Sequence, residues 1–423
     1  MRPRRSANTA TVAQPGSVAP SVHRHRPDYQ ILILSSVMLV IGLIVVYAIS
    51  PALAAQGKSS ANFYITHQLL TIGLAILAFG FFATIPYYKF AAWWKPLLIT
   101  AGLATLIALV MPKPANYDAH RWIPLGSFSF QSVELVKFAI LIYLSKFLSD
   151  RMADGKITNF KLMAKALGAL LVLVGLIIAG AQKDLGSTGV ILAMAGAMVF
   201  VAGLPMRQVG LLVASIAILA AIAAVAFPYR IERLTTFANG GSDCQGAGYQ
   251  ACQALIAVGS GGMVGLGLGR SVQAYGYLPE SQNDSIFAIY AEKFGFIGSI
   301  ILLGLYGAFF VRLRRVIERA PDNYSRLLVV GIVAWLAIQT IINIGAMVGL
   351  LPLKGITLPF ISYGGTSVLF LMAAVGMVFN ISRYTSFTAP RITKEGKEGQ
   401  RYDNRLDRGR LRGAYHPNPG SRG

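Results

Sequence analysis

Long apolar runs, separated by short polar segments, make up most of the chain. About 20 apolar residues in a helix are enough to cross the hydrocarbon core of a bilayer. Helices that cross it must close nearly all their backbone hydrogen bonds internally, because lipid offers no partners. The pattern therefore predicts an all-α polytopic membrane protein with about ten transmembrane helices. The runs are Ile31–Ile49, His67–Ile85, Pro96–Met111, Val133–Leu148, Leu162–Ala181, Thr188–Leu204, Val209–Phe227, Ser285–Phe310, Leu327–Met347 and Ser367–Ile381.

Composition agrees with this class, and the distribution of charge gives the chain an orientation. The sequence is 55% hydrophobic and 13% charged, whereas soluble domains carry about 25% charged residues. Basic residues concentrate before the first run, after the last run and in the link after the eighth run. The positive-inside rule makes these segments, and so both termini, cytoplasmic. We attribute the net charge of +21 to topology and anionic lipid, not to nucleic acid, because no folded basic domain is predicted.

The predicted organisation is one membrane domain between two tails. Residues 1–29 and 384–423 are rich in Ser, Pro, Gly and charge, which is typical of disordered segments. Residues 30–383 form the membrane domain, and within it residues 228–284 form a large loop that is external on this topology. Long loops in compact structures are usually functional, so we expect the outer face to be the working face.

The external loop contains three features of its own. Cys244 and Cys252 lie on the side where a disulfide is permitted, although a helix that starts between them would point the two thiols apart. A short amphipathic helix is predicted at about Tyr249–Val258, suited to the outer interface. The glycine-rich stretch Gly259–Ser271 fails the phosphate-loop pattern, since Val264 holds the first glycine position and no strand precedes it. We interpret that stretch as a flexible interfacial loop.

Six basic residues break the charge rule, because they fall in segments predicted to be external. Scattered surface charge is one interpretation of them. The other is a cationic site for an anionic ligand at the outer membrane surface, since Arg and Lys are the natural partners of phosphate. The six are Arg121, Lys183, Arg230, Arg233, Arg270 and Lys354.

Further charges enter the apolar runs, where each costs roughly 2.5–3.5 kcal/mol on insertion scales and normally faces a polar cavity. Glu134 and Lys137 are three residues apart, so they share a helix face and are able to pair. A structural ion pair is the alternative to a ligand site there. Asp184 precedes the sixth run, where a helix N-cap is the alternative interpretation. Glu292 lies about two turns inside the eighth run.

Asp284 and Glu280 stand just before the eighth run. The sequence Asn-Asp-Ser precedes a helix, and all three residue types are favoured N-caps, so a cap alone would explain Asp284. A cap does not explain Glu280 or the cationic outer segments. Together these features suggest a carboxylate that takes a proton from a hydroxyl while cations hold a leaving pyrophosphate.

Five segments, in order, carry a resemblance to a known family. They read HRWIPLGSFSFQSVELVKF, QKDLGST, GAGYQACQALIAVGSGGMVGLGLG, YLPESQNDSIFAIYAEKFGFIG and GLLPLKGITLPFISYGGTS. Over about residues 30–385 the chain resembles the SEDS family (shape, elongation, division and sporulation proteins). Lys354 and the LPE loop make it more similar to the members that act in division than to those that act in elongation.

The resemblance implies a ten-helix fold that polymerises glycan strands from lipid II at the outer face of the cytoplasmic membrane, at the division septum. It implies that Asp284 is the general base, with Glu280 beside it. The implied partners are lipid II, a cognate class B penicillin-binding protein and other division proteins. A pyrophosphate ligand would also suit Mg²⁺ or Mn²⁺, although no dedicated ligand cluster is visible. The substrate-binding candidates are Arg121, Trp122, Glu134, Lys137, Asp184, Arg233, Arg270, Lys354 and Ser362.

The chain departs from the family pattern in three motifs. The family's QPSE reads QSVE at Gln131–Glu134, QPDLG reads QKDLG with Lys183 in place of proline, and GEELG reads AEKFG. These changes leave the helix geometry at each point open. Two functions of other classes also remain open: a lipid II transporter, since transporters carry intramembrane charges, and a scaffold for division proteins. An elongation-type polymerase is the third alternative.

Overall fold

The computed structural model describes residues 22–56, 60–111, 120–126, 128–211, 214, 237, 244–246 and 248–386. These residues belong to a single compact unit, Val22–Ser386. Its helices are α1 (Tyr29–Ala55), α2 (Ala61–Thr84), α3 (Trp94–Val110, after a 3₁₀ turn at Tyr87–Trp93), α4 (Ser132–Ala153), α5 (Phe160–Leu173, continued as a π-helix over Val174–Ala181), α6 (Leu185–Val201), α7 (Tyr249–Ser260), α8 (Ile286–Glu318), α9 (Asn323–Met347) and α10 (Gly365–Ile381).

Nine of the ten predicted apolar runs coincide with helices in the described part of the chain, and the seventh, Val209–Phe227, lies largely outside it. Among the described residues, five helical segments are long and apolar enough to cross a membrane: Tyr29–Ala55, Ala61–Thr84, Tyr87–Val110, Ile286–Glu318 and Asn323–Met347. Large apolar side chains stay exposed along them, as on Leu77, Leu106 and Ile301. Exposed apolar side chains are what a helix presents to lipid. The chain is therefore a polytopic all-α membrane protein.

A short antiparallel ribbon joins the two termini of the unit. Strand β1 (Val22–Arg24) pairs with β4 (Tyr384–Ser386), and the amide of His25 donates to the carbonyl of Arg383 at 2.8 Å. The amide of Asp28 donates to the hydroxyl of Ser382 at 3.0 Å. This ribbon extends the ordered unit beyond the predicted limits of 30 and 383. Each strand has three residues, too few for hydrophobic alternation to mark it in the sequence.

Helix α8 is interrupted at Gly295, whose φ of 66° and ψ of −164° are not helical. The glycine-rich segment after α7 fills the interruption. The amide of Leu266 donates to the carbonyl of Glu292 at 2.9 Å. The amide of Phe296 donates to the carbonyl of Gly262 at 2.8 Å. Backbone groups freed by the break are thus paired with the loop. These bonds argue against a flexible loop, whereas its interfacial position stays a prediction, since Met263 and Val264 are exposed and apolar.

Candidate functional site

The turn before α8 holds Asp284. The N-cap of α8 is Ser285, so Asp284 stands one residue before it and the cap interpretation of Asp284 is wrong. Its carboxylate is half-buried and points towards Gly355, where a Cβ would lie 3.2 Å from Oδ2. Gly355 has a φ of 64°, which glycine adopts without strain. The carboxylate therefore lies against bare backbone of another loop.

Glu280 shapes the same turn. Its Oε2 accepts a hydrogen bond from the side-chain amide of Asn283 at 2.7 Å. Its carbonyl accepts from the amides of Asn283 and Ser285 at 2.9 and 3.1 Å. Its own φ of 49° is left-handed, a conformation that costs a non-glycine residue free energy and persists only when its surroundings impose it. Glu280 thus sets the shape of the turn that presents Asp284.

Residues of the loop between α9 and α10 form hydrogen bonds to this turn. The hydroxyl of Ser362 donates to the carbonyl of Asn283 and accepts from the amide of Leu358, both at 2.7 Å. Ser362 is 2% exposed, and its hydroxyl joins the loop to the turn, while a role in substrate binding stays a prediction. The neighbouring Tyr363 donates its amide to the carbonyl of Gln282 at 2.9 Å. Burial raises the pKa of the Tyr363 phenol, with a smaller contribution from Tyr64.

Asn343 links the loop and the turn to α9, and sequence reasoning missed it. Its side-chain amide donates to the carbonyl of Asp284 at 2.8 Å and to that of Ile356 at 2.6 Å. Asn343 is buried in a mainly apolar helix, which also buries Gln339 and Thr340. Buried polar groups normally have partners, and here the partners fix the backbone on either side of Gly355. A polar amide within the run Leu327–Met347 was the signal available.

The start of α6 lies on the other side of the same loop. The carboxylate of Asp184 accepts from the amide of Ser187 at 2.9 Å, so the cap interpretation of Asp184 is confirmed. A Cβ on Gly186 would lie 2.7 Å from the carbonyl of Lys354. The segment Lys354–Ile356 is therefore packed between the first turn of α6 and Asp284. Asp184 itself is 2% exposed.

Arg121 and Trp122 lie beside α6, at the base of a hairpin of β2 (Trp122–Leu125) and β3 (Phe128–Gln131). The guanidinium of Arg121 donates from Nε to the carbonyl of Gln182 at 3.0 Å and from Nη2 to that of Lys183 at 2.5 Å. Trp122 pairs with Gln131 in the hairpin. An arginine has five N–H donors, so Arg121 keeps donors beyond these two.

Glu134 and Lys137 form the predicted pair at the start of α4. Lys137 Nζ lies 2.7 Å from Glu134 Oε1, and both side chains are almost fully buried. The ammonium also sits 5.2 Å from the centre of the Trp335 ring. The second oxygen, Glu134 Oε2, is buried without a hydrogen-bond partner among the described residues. The pairing is therefore confirmed, while a role in substrate binding stays a prediction.

Arg270 is exposed and precedes a segment that Glu292 anchors. Glu292 is fully buried and accepts from the hydroxyl of Ser271 at 2.5 Å and from the amide of Val272 at 2.9 Å. Arg230 and Arg233 lie outside the described residues. The structure thus connects Arg121 to the entry of α6, and the segment Lys354–Ile356 connects the first turn of α6 to Asp284. The structure shows no contact of Arg270 with these residues in the described part of the chain.

Helix α7 forms a further wall of the site. The predicted helix is present as Tyr249–Ser260, and the side-chain amide of Gln250 donates to the hydroxyl of Ser285 at 3.1 Å. Cys244 and Cys252 are joined as a disulfide, which decides the alternative that the sequence left open. Within the described residues, no group of three His, Cys, Asp or Glu side chains is placed to hold a metal ion.

The family comparison covers nearly all of this unit. The family model of cell cycle proteins of the FtsW, RodA and SpoVE type matches residues 29–387. The chain belongs to the SEDS family.

Several SEDS relatives are similar over most of their length. Stage V sporulation protein E of Bacillus subtilis is 38% identical over 366 residues, which are 85% of this chain and 98% of the relative. The probable peptidoglycan glycosyltransferase FtsW of Saccharophagus degradans is 35% identical over 383 residues, 89% of this chain and 95% of the relative. The FtsW of Coxiella burnetii is 36% identical, over 85% of this chain and 96% of the relative.

Two solved SEDS-like structures share the fold. One belongs to a study of how a peptidoglycan synthase complex coordinates polymerization and crosslinking, with a TM-score of 0.67 at 26% identity, covering 84% of this chain and 98% of that one. The other is the rod shape determining protein RodA of Thermus thermophilus, with a TM-score of 0.61 at 26% identity, covering 84% of this chain and 97% of RodA.

One departure from the SEDS pattern has a structural consequence at Lys183. This residue has a φ of 53°, whereas proline, which the family has in this motif, is locked near −65°. The backbone between α5 and α6 therefore follows a path that the family's proline could not take. The carbonyl of Lys183 accepts the guanidinium of Arg121 in this conformation.

Proposed function

We propose that this SEDS protein is a peptidoglycan glycosyltransferase that polymerises lipid II into glycan strands at the outer face of the cytoplasmic membrane during cell division. The observation that carries the proposal is the position of Asp284. It lies one residue before the N-cap of α8, and its carboxylate lies against the backbone of Gly355. Relatives named as probable peptidoglycan glycosyltransferases, at 35–36% identity over most of the chain, support it.

The chemistry assigned to Asp284 is general base catalysis. The acceptor is the sugar 4-hydroxyl of a lipid II molecule, and the donor is a growing glycan on undecaprenyl pyrophosphate. As the hydroxyl oxygen attacks the anomeric carbon, its proton passes to the Asp284 carboxylate and the bond to the pyrophosphate oxygen breaks. Proton removal by a positioned carboxylate is typically worth ~10²–10⁴-fold in rate. Glu280 holds the turn in which that carboxylate is presented.

The cations assigned to the pyrophosphates are Arg121, Arg233, Arg270 and Lys354. Arg121 is fixed at the start of α6 by two carbonyls, and the backbone of Lys354 packs against that same turn. Preorganised cations stabilise a departing pyrophosphate without rearranging during the reaction. We assign Trp122 and the Glu134–Lys137 pair to substrate binding as well. Replacement of each cation by Gln should weaken lipid II use while the protein stays folded.

The decisive experiment is incubation of purified full-length protein with lipid II, followed by glycan gel analysis. One arm contains the cognate class B penicillin-binding protein, which we propose as the partner that crosslinks the new strands, and one arm omits it. A chelator arm, with Mg²⁺ or Mn²⁺ added back, measures any metal requirement. Long glycan in the wild type and none in Asp284→Asn is the expected result. Transfer of lipid II between leaflets without any glycan would instead identify a transporter.

The proposed topology places both termini in the cytoplasm and residues 228–284 outside. The basic link after α8 supports this orientation, and the Cys244–Cys252 disulfide fits an oxidising compartment. After mild reduction of intact spheroplasts, a membrane-impermeant thiol reagent should label these cysteines. Labelling only after permeabilisation would reverse the topology and place the site on the wrong side of the membrane.

A further inference from the structure

A second cleft lies at the opposite end of the helix bundle from Asp284. Helix α1 starts beside the β1–β4 ribbon and ends at Gln56, whose side-chain amide donates to the carbonyl of Ala274 near the Asp284 turn. With 27 residues and a rise of 1.5 Å per residue, α1 is about 40 Å long. The ribbon and the proposed glycosyltransferase site are therefore separated by the thickness of a membrane.

This terminal cleft has a volume of about 660 Å³ and is lined by His25, Arg26, Pro27, Tyr29, Phe379 and Arg383. No carboxylate is among the lining residues, and no described carboxylate forms an ion pair with Arg26 or Arg383. The guanidinium of Arg383 lies 5.5 Å from the centre of the Phe379 ring. Its Nε is buried and has no hydrogen-bond partner in the described part of the chain.

The walls of the terminal cleft are held in place before any ligand arrives. The β1–β4 pairing fixes the backbone on both sides of it, and the bond from the His25 amide to the Arg383 carbonyl continues that pairing. The ring of Tyr29 packs edge to face on Phe379, with centroids 5.8 Å apart. A buried N–H without a partner costs free energy, and a bound anion would supply the missing acceptor.

We infer that the terminal cleft binds the phosphodiester headgroup of an anionic phospholipid. A guanidinium offers a planar fork of donors that matches phosphate oxygens. A free phosphate shares this chemistry, but a second feature favours a lipid. Tyr29, Ile33, Val37 and Val40 are 55%, 57%, 41% and 53% exposed, and their spacing places them on one face of α1. This apolar stripe begins at the terminal cleft and runs along the helix as an acyl chain would.

The inference does not depend on glycan polymerisation, and it is tested by binding alone. Full-length protein in detergent is titrated with dioctanoyl phosphatidylglycerol, dioctanoyl phosphatidylcholine and inorganic phosphate, and the bound fraction is read by native mass spectrometry. The variants are Arg26→Gln, Arg383→Gln and Arg383→Lys. Arg315→Gln is the matched control, since Arg315 is an exposed arginine on the same basic end of the bundle but outside the cleft.

Phosphatidylglycerol should bind in preference to phosphatidylcholine. Arg26→Gln and Arg383→Gln should each weaken that binding about fivefold, and Arg315→Gln no more than about twofold. Arg383→Lys should fall between Arg383→Gln and the wild type, because it keeps the charge and loses the fork. Since Arg26 is exposed, its variant decides the matter if Arg383→Gln melts early. Equal binding of both lipids, or equal losses in Arg315→Gln, would refute the site, and equally tight inorganic phosphate would refute the lipid assignment.

Discussion

Helices α6 and α8 begin on opposite sides of the segment Lys354–Ile356, and an aspartate precedes each of them. Asp184 is the N-cap of α6, almost fully buried, with its carboxylate accepting from the amide of Ser187. Asp284 lies one residue before the N-cap of α8, half-buried, with its carboxylate against Gly355. The carboxylate of Asp184 caps α6. At Asp284, neighbouring residues fix the backbone of the turn that carries the carboxylate. The two aspartates therefore differ in their relation to the helix that follows each of them.

The two aspartates also differ in how the surrounding residues hold them in place. Asp284 owes its position to Glu280 within the turn, to Asn343 on its carbonyl and to Ser362 on the carbonyl of Asn283. A catalytic group needs this kind of fixed backbone, because small displacements lose much of its effect. Asp184 instead supports the wall from which Arg121 and Lys354 are presented.

The largest expected effect separates the two aspartates by activity. Asp284→Asn should lower the rate of glycan synthesis from lipid II by ~10²–10⁴-fold, because the amide does not accept the proton. Its melting temperature should match the wild type. Asp184→Asn is the matched comparison, since asparagine is also a good N-cap. Wild-type activity of this variant would identify Asp184 as a cap alone, and lost activity would support its candidate role in substrate binding. A folded Asp284→Asn protein that makes long glycan at the wild-type rate would remove Asp284 from the mechanism.

The next largest expected effect concerns Glu134, a buried carboxylate that pairs with Lys137. Lys137→Met should destabilise the protein by about 3–5 kcal/mol, because it leaves the Glu134 charge buried and unpaired. The double variant Glu134→Gln/Lys137→Met should recover most of that loss. Thermal denaturation of the detergent-solubilised variants measures both. If Lys137→Met alone is as stable as the wild type, Glu134 is not held as a charged partner.

A smaller effect tests the cap directly. Asp184→Ala should cost about 1 kcal/mol of stability, the usual loss when an N-cap acceptor is removed. Asp284→Ala should cost less, because Ser285 and not Asp284 occupies the N-cap of α8. Chemical denaturation of the two alanine variants side by side gives the comparison. Equal losses in both would mean that the two carboxylates support their helices equally.

The smallest expected effect is on stability and concerns Lys183, in the connection that leads into α6. Lys183→Gly should stabilise the protein by roughly 0.5 kcal/mol, since glycine relieves the left-handed conformation but is more flexible when unfolded. Lys183→Pro, which restores the family residue, should have the opposite sign because proline cannot reach a φ of 53°. Differential scanning calorimetry of the two variants measures both changes in stability. A stabilising proline would show that this segment rearranges without strain.

Much of the fold follows from periodicity in the sequence, and much of the site does not. Apolar runs predicted nine described helices, and the three-residue spacing of Glu134 and Lys137 predicted their pair, because both are local patterns. The bond between Asn343 and the Asp284 carbonyl joins residues 59 positions apart, and no local pattern reports such a contact. The sequence Asn-Asp-Ser also does not show which of its three residues is the N-cap of α8, and in the structure it is Ser285.

The interruption of α8 at Gly295 has a mechanical consequence. Before it, Ile286–Lys293 are buried on every side by protein. After it, residues such as Phe296, Ile300 and Ile301 are exposed and apolar, and it is the helix as a whole, Ile286–Glu318, that is long and apolar enough to cross a bilayer. We expect changes in bilayer thickness or tilt to act on the second segment, because its apolar side chains are the exposed ones. The first segment, which follows the Asp284 turn, is covered by protein and bonded at its end to loop backbone, so we expect it to respond less to the surrounding lipid.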